Sequence, residues 1–241
     1  MTYNKLVVDI EGTVCSISFV KDTLFPYFLE QIPLKLRELT YPINSNDEHS
    51  SPITSVVAGF PSDKTTSYET LLEHITSLVR QDIKDPTLKS LQGLVWQLGY
   101  DNGDLVAPVY QDAIDFIQRF KRVKENKVYV YSSGSIKAQK LLFGHVGGPE
   151  GSFDLNPEFE GYFDITTSGF KQETSSYENI LKDIGESTPS NVLFLSDNVK
   201  EVQAAVSAGM QSYIVVRPGN YPLTQEDKSL GFKIIDNFED L

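Results

Sequence analysis

Cysteine and histidine are scarce in this chain of 241 residues, and their scarcity limits the chemistry available to it. A single cysteine, Cys15, excludes an intramolecular disulfide bond. Six positions after it stands Lys21 instead of an arginine, which argues against catalysis by a cysteine–arginine pair. The histidines His49, His74 and His145 stand too far apart for a sequence-local metal motif. We therefore expect structural roles for Cys15 and for the histidines.

Basic residues and long apolar runs are also in short supply. Lys and Arg number 21 against 33 Asp and Glu, so the formal net charge of −12 repels nucleic acid and anionic lipid. No apolar run reaches the ~20 residues of a membrane-spanning helix. The first residues, MTYNKLVVDIEGT, are interrupted by Asp9 and Glu11 too early for a signal-peptide core. We expect no nucleic-acid or membrane partner, and a cytoplasmic protein with the nucleus as a second compartment.

Short apolar runs, each followed by a polar turn and then by helix-like periodicity, predict an α/β fold with a parallel sheet. Apolar residues make up 40% of the chain and aromatic residues 11%, enough for a packed core. The predicted strands cover residues 6–8, 128–131, 163–166, 192–195, 213–216 and 232–235. Each run has the length of a buried strand.

A long insertion separates the first two predicted strands, at residues 9–127, and a helical crossover needs far fewer residues. Amphipathic spacing predicts helices in this stretch at residues 19–39, 68–83 and 87–98. The first helix is expected to break at Pro26 and Pro33. Residues 42–67 are rich in Ser, Thr, Asn, Asp and Pro, and we expect a mobile excursion there.

The insertion divides the chain into two predicted domains. Helical spacing returns in VYQDAIDFIQRFKR, just before the second predicted strand, and marks the return to the core. We therefore expect a core of residues 1–16 and 107–241 and an inserted helical cap of residues 17–106.

Two carboxylates, Asp9 and Glu11, follow the first predicted strand and precede a Gly-Thr turn. In parallel sheets, ligands bind at the carboxyl ends of the strands. Alternation along an extended strand places both side chains on the same side, where one carboxylate can attack phosphorus while the other handles a proton. Taken alone, the segment is equally compatible with an ordinary acid-Gly turn.

The next strand ends in Ser132 and Ser133, ahead of the helical stretch IKAQKLLFGH. Hydroxyls and amides at a helix N-terminus bind phosphate oxygens, although an ordinary helix cap has the same sequence pattern. Lys171 follows the third predicted strand. Its ammonium group would relieve the crowding of negative charge between carboxylates and a phosphate.

A further acidic residue, Asp197, follows the fourth predicted strand, and Glu201 lies one helical turn later. Asp197, Asp9 and the backbone carbonyl of Glu11 would together suit Mg²⁺, which prefers oxygen ligands and retains several waters. Glu201 is in a position to orient that ligand shell. The sequence therefore predicts a magnesium site beside the carboxylate pair.

The residues at these strand ends resemble, in their order, the four motifs of the haloacid dehalogenase superfamily. They are Asp9 and Glu11, Ser132 and Ser133, Lys171, and Asp197. A response-regulator receiver also combines acids, a hydroxyl and a lysine, but it lacks the later acidic motif and would not hold so large an insertion. Glu11 departs from the aspartate usual in the first motif. With LQGLVWQLGYDNGDL and YSSGS, this departure resembles the enolase-phosphatases of methionine salvage over most of the chain.

This resemblance implies a Rossmannoid haloacid-dehalogenase-like core with an α-helical cap. The implied substrate is 2,3-diketo-5-methylthiopentyl-1-phosphate, which is enolised and then hydrolysed to acireductone (1,2-dihydroxy-3-keto-5-methylthiopentene) and phosphate. Asp9 would be the nucleophile, forming an aspartyl-phosphate, and would share one Mg²⁺ per subunit with Asp197. Ser132, Ser133 and Lys171 would contact phosphate or substrate.

Glu11 has several expected roles. Its carbonyl would ligate the metal, while its carboxylate protonates the leaving oxygen and later activates water. The extra methylene of glutamate suggests the hypothesis that the same carboxylate also removes the carbon-bound proton. The enolisation base otherwise stays open, with Trp96, Tyr100 and Asp104 of the cap as candidates.

Other functions remain compatible with the same residues. A general capped magnesium phosphatase for another small phosphate ester would use the same motifs, and a phosphate-ester-binding module without catalysis is a third possibility. Nothing in the sequence requires a protein partner, and a monomer suffices for each of these functions.

Overall fold

The computed structural model describes residues 3–44, 51–81, 83–239 and 241, and the described chain separates into two compact units. One unit runs to Phe19 and resumes at Val106, and the other is Val20–Leu105. We call them the sheet unit and the helical unit. Their assignment as a core and a cap, with the predicted boundaries at 16/17 and 106/107, stays a prediction.

The helical unit begins with a π-helical turn at Val20–Leu24. Its α-helices within the described residues are α1 (Phe25–Arg37), α2 (Pro52–Val57), α3 (Tyr68–Arg80) and α4 (Pro86–Asp101). The apolar positions of the four helices, spaced three or four residues apart, share one core that includes Phe28, Ile32, Leu71 and Leu91. The unit therefore has a hydrophobic core of its own.

The break predicted at Pro26 and Pro33 is wrong. Pro26 occupies the first turn of α1, where a helix needs no N–H donor, and Pro33 lies inside the helix. A proline inside a helix costs about 3 kcal/mol, whereas burying one large apolar side chain contributes about 1.5–3 kcal/mol. Phe28, Ile32 and Leu36 are all fully buried on one face of α1, and their packing outweighs the proline.

The prediction of an irregular excursion over residues 42–67 is wrong for its second half. That half forms α2 and a short 3₁₀ turn at Ser62–Lys64. Ser51 caps α2 by accepting a hydrogen bond from the Thr54 amide (3.1 Å), and Val57 is fully buried. A helix of six residues is too short to show a period in the sequence. Residues 45–50, which include His49, lie outside the described part of the chain.

The sheet unit is built on parallel strands. Its strands within the described residues are β1 (Lys5–Val8), β2 (Lys127–Tyr131), β3 (Val146–Gly148), β4 (Gly151–Phe153), β5 (Gly161–Phe163), β6 (Val192–Ser196), β7 (Gln211–Val215) and β8 (Ile234–Ile235). The main sheet has the order β5-β2-β1-β6-β7-β8 and every pairing in it is parallel, whereas β3 and β4 form an antiparallel hairpin. This confirms the predicted fold class.

Helices of the sheet unit follow most of these strands. Within the described residues they are α5 (Gln111–Lys121), α6 (Ile136–Phe143), α7 (Thr174–Asp183), α8 (Val199–Ser207) and α9 (Gln225–Ser229). Tyr177 of α7 and Ala205 of α8 are fully buried and pack with Val7 and Phe194 of the sheet. No described helix combines the length and apolar character needed to cross a membrane.

One predicted strand is misplaced in the sequence interpretation. Residues 163–166 were expected to be extended, but β5 ends at Phe163 and a turn follows. The Asp164 carboxylate accepts hydrogen bonds from the Thr166 and Thr167 amides (2.9 and 3.0 Å), which closes the turn. The strand order places the ends of β2, β1 and β6 side by side, and this edge carries the predicted site.

Candidate active site

A cavity of about 520 Å³ opens at the carboxyl ends of the parallel strands. All the core residues predicted for catalysis, substrate binding and metal binding line it: Asp9, Glu11, Ser132, Ser133, Lys171 and Asp197. The lining residues all belong to the sheet unit. Four separate stretches of sequence therefore meet at one place because neighbouring parallel strands end at the same edge of the sheet.

Lys171 is the cation at the centre of this cavity. Its Nζ lies 2.5 Å from Asp9 Oδ1 and 2.7 Å from Glu201 Oε2, and the residue is only 8% exposed. Burial acts to lower the pKa of Lys171, but the carboxylates of Asp9 and Glu201 raise it by more, so the ammonium form persists. Lys171 thus forms ion pairs with two carboxylates, Asp9 and Glu201.

The structure gives Glu201 a different partner from the one expected. Its Oε2 accepts hydrogen bonds from Lys171 and from Ser196 Oγ (2.7 Å), and Ser196 Oγ in turn accepts one from the Asn198 amide (3.1 Å). Glu201 therefore positions Lys171. The acid that follows β6 directly, Asp197, lines the cavity.

The loop that carries Lys171 is held by side chains that the sequence interpretation missed. Tyr177 OH donates to the Lys171 carbonyl (2.7 Å), and Tyr131 OH donates to the Gly169 carbonyl (2.7 Å). Ser176 Oγ donates to the Phe170 carbonyl (2.7 Å). Buried hydroxyls on β2 and α7 thus fix the backbone of this loop, so that the lysine reaches Asp9 without conformational freedom.

The Asp9 loop turns sharply after β1. The Asp9 amide donates to the Leu195 carbonyl (3.0 Å), which extends the pairing of β1 with β6 to Asp9. Gly12 has a φ of +74°, a conformation that side chains disfavour. A Cβ atom on Gly12 would lie 2.5 Å from Asp197 Oδ2, so glycine is also needed for space. The two acidic loops are therefore packed directly against each other.

Cys15 closes the same loop, because its carbonyl accepts a hydrogen bond from the Gly12 amide (2.8 Å). The side chain is fully buried, and burial, together with Glu11, raises the pKa of its thiol to about 12. A thiol in that state is no nucleophile at neutral pH. The expected packing role for Cys15 agrees with this environment.

Excess negative charge surrounds Asp9, Glu11 and Asp197 in the cavity. Burial and the Asp9 carboxylate raise the pKa of Glu11 to about 7, and burial, Asp9 and Glu201 raise the pKa of Asp197 to about 7, although Lys171 lowers both. Lys171 therefore does not balance these carboxylates, and they still outnumber the cations when Lys200, which also lines the cavity, is included. A divalent cation with a preference for oxygen ligands fits this donor set.

The protein would supply few side-chain ligands to such a cation. Among the described residues, no group of three or more His, Cys, Asp and Glu side chains is placed to hold a metal. The carboxylates of Asp9 and Asp197 with the backbone carbonyl of Glu11 form a smaller set. Mg²⁺ is often bound by one or two carboxylates and keeps several waters, so the set suits Mg²⁺ better than a metal that needs a full protein cage.

Ser132 and Ser133 also line the cavity. Ser132 is buried at the end of β2, where its Oγ accepts a hydrogen bond from the Gly134 amide (3.3 Å), and Ser133 is exposed. The cap of α6 is Ser135, whose Oγ accepts from the Ala138 amide (3.3 Å). Helix capping therefore does not explain Ser132 and Ser133.

Asp164 contacts the start of α6, the helix that follows Ser132 and Ser133. Its Oδ2 accepts a hydrogen bond from the Ile136 amide at the start of α6 (3.1 Å). Burial acts to raise the pKa of Asp164, but hydrogen bonds from Thr166, Ile136 and Thr167 lower it by more, so the carboxylate stays charged. Its position one residue after β5 is the same strand-end signal that identified Asp9, and it was overlooked because residues 163–166 were taken as one strand.

The other residues considered from sequence lie elsewhere. Trp96 Nε1 donates to the Leu24 carbonyl (2.8 Å), and Asp104 accepts a hydrogen bond from Tyr27 OH (3.0 Å), both inside the helical unit. Tyr100 is buried there. His74 packs edge-on against Phe60, and His145 contacts the Leu141 carbonyl through Nδ1 (3.0 Å). None of these residues lines the described cavity.

Comparison with known proteins agrees with this geometry. The family model described as "Hydrolase: haloacid dehalogenase-like hydrolase" matches residues 5–209. Enolase-phosphatase E1 of Debaryomyces hansenii is 59% identical over 98% of this chain and 95% of its own length. Enolase-phosphatase E1 of Scheffersomyces stipitis is 55% identical over 100% of both chains. The crystal structure of the UTR4 protein (Unknown transcript 4 protein) of Saccharomyces cerevisiae is 47% identical, with a TM-score of 0.86, over 99% of this chain and 100% of that one.

The chain therefore belongs to the haloacid dehalogenase-like hydrolases and, among them, to the enolase-phosphatase E1 family. It is a phosphatase-type hydrolase with the parallel sheet of that class. The resemblance drawn from Glu11 and the stretch around Trp96 is thereby confirmed.

The fit between the two acidic loops predicts the effect of Gly12→Ala. The added methyl group meets Asp197 Oδ2, and we expect phosphatase activity to fall at least about 100-fold, because a misplacement of about 1 Å has that effect on catalysis. Gly231→Ala is the matched control, since its φ of +76° is equally strained but nothing lies within 4 Å of the added carbon. The control should lose about 1–2 kcal/mol of stability and keep its activity. Wild-type turnover in Gly12→Ala would contradict the packing described.

Proposed function

We propose that this chain converts 2,3-diketo-5-methylthiopentyl-1-phosphate into acireductone and phosphate, as a bifunctional enolase-phosphatase of methionine salvage. The observation that carries the proposal is the pair Asp9 and Lys171, buried together in a cavity that also contains Glu11, Ser132 and Asp197. Family membership and the printed name of the relatives, enolase-phosphatase E1, support the substrate.

Phosphoryl transfer follows from the positions of Asp9 and Glu11. The Asp9 carboxylate attacks phosphorus, and the bond between phosphorus and the ester oxygen breaks as an aspartyl-phosphate forms. The Glu11 carboxyl group, whose pKa is about 7, donates a proton to the departing oxygen. It then takes a proton from the water that attacks phosphorus, which releases phosphate and restores Asp9. Lys171, Ser132 and Ser133 hold the phosphoryl oxygens.

One Mg²⁺ per subunit completes the proposed site. Asp9, the carbonyl of Glu11 and Asp197 would hold it. When bound, the cation offsets negative charge on the phosphoryl group and on the enolate oxygen. The lining contains five carboxylates (Asp9, Glu11, Asp197, Glu201 and Asp227) and two lysines (Lys171 and Lys200), and this excess of negative charge supports the assignment.

Enolisation precedes hydrolysis in this proposal, and Glu11 is its proposed base. A carboxylate with a pKa near 7 is suited to remove a proton next to a carbonyl group, and Lys171 would stabilise the enolate charge. Trp96, Tyr100 and Asp104 of the helical unit remain the alternative candidates for the base.

Three further assignments belong to the proposal. Residues 17–106 act as a cap that selects the substrate. The compartment is the cytoplasm, and the functional form is the monomer.

The apolar part of the cavity suits the remainder of the substrate. Ile17, Pro222 and Leu223 line the cavity together with the charged groups. A methylthio-alkyl chain can lie against such side chains while the phosphate lies near Lys171. A purely inorganic or highly polar phosphate would leave this apolar lining without a partner, which favours an ester with an apolar tail over the general phosphatase alternative.

The substrate assignment predicts three separately measurable events. With the diketone phosphate and Mg²⁺, the wild type should form the enol, release phosphate and accumulate acireductone. Asp9→Asn should lower phosphate release at least about a thousandfold, because removal of a nucleophile has effects of that size. Phosphate release without enol formation would favour the general phosphatase, and binding without turnover would favour the non-catalytic module.

The variant Glu11→Asp tests the assignment of the enolisation base. If Glu11→Asp kept both partial reactions at full rate, Glu11 would not be that base.

The metal assignment predicts a stability effect that needs no substrate. Mg²⁺ should raise the melting temperature of the wild type, because a ligand that binds the folded state stabilises it by mass action. Asp197→Asn should lose most of this increase. Asp227→Asn is the matched control, because Asp227 lines the same cavity but hydrogen-bonds to Thr224 at the start of α9, and its variant should keep the increase. An equal increase in all three proteins would argue against Asp197 as a ligand.

A further inference from the structure

Asn220 lies beside the acidic loops but has no place in the four motifs. It follows β7 in the turn that begins at Arg217 and contains Gly219, whose φ is +88°. Its Nδ2 donates to the Gly12 carbonyl (2.8 Å) and lies 3.4 Å from the Val215 carbonyl. The amide group thus connects the end of β7 to the loop that contains Glu11 and Gly12.

The other end of the Asn220 amide points at the acidic residues. Its Oδ1 is buried and has no hydrogen-bond partner among the described residues. A Cβ atom built on Gly12 would lie 3.1 Å from Asn220 Oδ1 and 2.5 Å from Asp197 Oδ2. Both oxygens therefore lie close to Gly12, and the atoms there are packed too tightly for a side chain on that residue.

The orientation of this amide group follows from its surroundings. Nδ2 faces two carbonyl oxygens, so a reversed amide would place Oδ1 against acceptors and lose the hydrogen bond to Gly12. Oδ1 then lies near Gly12, where the Asp197 carboxylate also approaches. A buried acceptor that faces another acceptor is unfavourable unless a donor lies between them.

Water bound to a cation would supply a donor to both of these oxygens. Mg²⁺ retains several waters when proteins bind it, and side chains around a metal commonly orient its ligands through hydrogen bonds. Asp197 and the carbonyl of Glu11, the residue before Gly12, are proposed magnesium ligands, so Asn220 Oδ1 lies close to the proposed site. Neither the lysine nor a described hydroxyl occupies this role, since Lys171 hydrogen-bonds to Asp9 and Glu201 and Thr13 Oγ1 accepts from the Asp197 amide.

We propose that Asn220 is a positioning residue of the magnesium centre. Its amide nitrogen fixes the loop that supplies the Glu11 carbonyl, and its oxygen accepts a hydrogen bond from the hydration shell of the cation. This inference rests on the proposed binding of Mg²⁺. The competing explanation is that Asn220 only stabilises the Gly12 loop, in which case its oxygen has no bearing on the metal.

Calorimetric titration of the full-length chain with MgCl₂ separates these explanations. Asn220→Ala should raise the Kd for Mg²⁺ about 10- to 100-fold, the usual effect of removing such a supporting group. Asn126→Ala is the matched control, because Asn126 Nδ2 also donates to one backbone carbonyl, that of Phe120 (3.0 Å), away from the cavity. The control should lower the melting temperature of the metal-free protein without changing the Kd.

Asn220→Asp tests the oxygen separately from the nitrogen, because Asn220→Asp and Asn220→Ala both lose the donor to Gly12 but only Asp retains an oxygen. Both metal-free variants should melt at a lower temperature than the wild type, and the Kd of Asn220→Asp should be lower than that of Asn220→Ala. Asn220→Leu, which has no oxygen and is close to Asn in size, takes the place of Asn220→Ala if that variant does not fold. Equal Kd values in Asn220→Asp and in the variant without an oxygen would overturn the proposal, as would a Kd within twofold of wild type in Asn220→Ala. A wild-type chain that binds no Mg²⁺ would instead refute the proposed metal.

Discussion

The buried contact of Lys171 with Asp9 and Glu201 is the interaction on which the rest of the site depends. Removing a lysine from water is costly, and only close, well-aligned carboxylates compensate for that cost. Loss of one partner from such a buried pair typically costs about 3–5 kcal/mol, because the other charge is left buried alone. Hydrogen bonds from neighbouring side chains therefore fix the geometry around the lysine. Tyr177 and Tyr131 hold its loop, and Ser196 holds Glu201. A lysine fixed in this way meets Asp9, the proposed nucleophile, in one defined position and would meet the phosphoryl group there.

The arrangement of strands explains how distant parts of the chain supply this geometry. β1 is central, with β2 on one side and β6 on the other, so the loops after these strands end beside one another. The Gly12 turn and Asp197 then pack against each other at a distance that tolerates no side chain on Gly12. Charge is concentrated on the same edge, where carboxylates exceed cations and where Mg²⁺ is proposed to bind. A phosphate monoester brings up to two further negative charges, so its binding to a chain whose net charge is −12 requires local cations, namely Lys171 and the proposed Mg²⁺.

Much of this architecture is visible in the sequence because strand ends in a parallel sheet obey a simple rule. Asp9, Ser132, Lys171 and Asp197 each follow an apolar run, and the rule predicts that they converge. The sequence does not show which side chains become neighbours when the chain packs in three dimensions. Nothing local indicates that Glu201 contacts Lys171, that Tyr177 holds the Lys171 carbonyl, or that Asn220 reaches Gly12 across 208 positions. The continuity of α1 through Pro33 and the short helix α2 were missed for the related reason that burial in the helical core overrides local propensity.

The central claim is that Asp9 becomes covalently phosphorylated during turnover, and peptide mass spectrometry after rapid acid quenching tests it most directly. Wild-type protein is mixed with the diketone phosphate and Mg²⁺, quenched during steady turnover and digested with trypsin, which releases residues 6–21 as one peptide. The account predicts that a fraction of this peptide carries the mass of one phosphoryl group, that fragmentation assigns it to Asp9, and that the Asp9→Asn chain lacks it. A phosphoryl group on Glu11, or none on this peptide while phosphate is being released, would contradict the account.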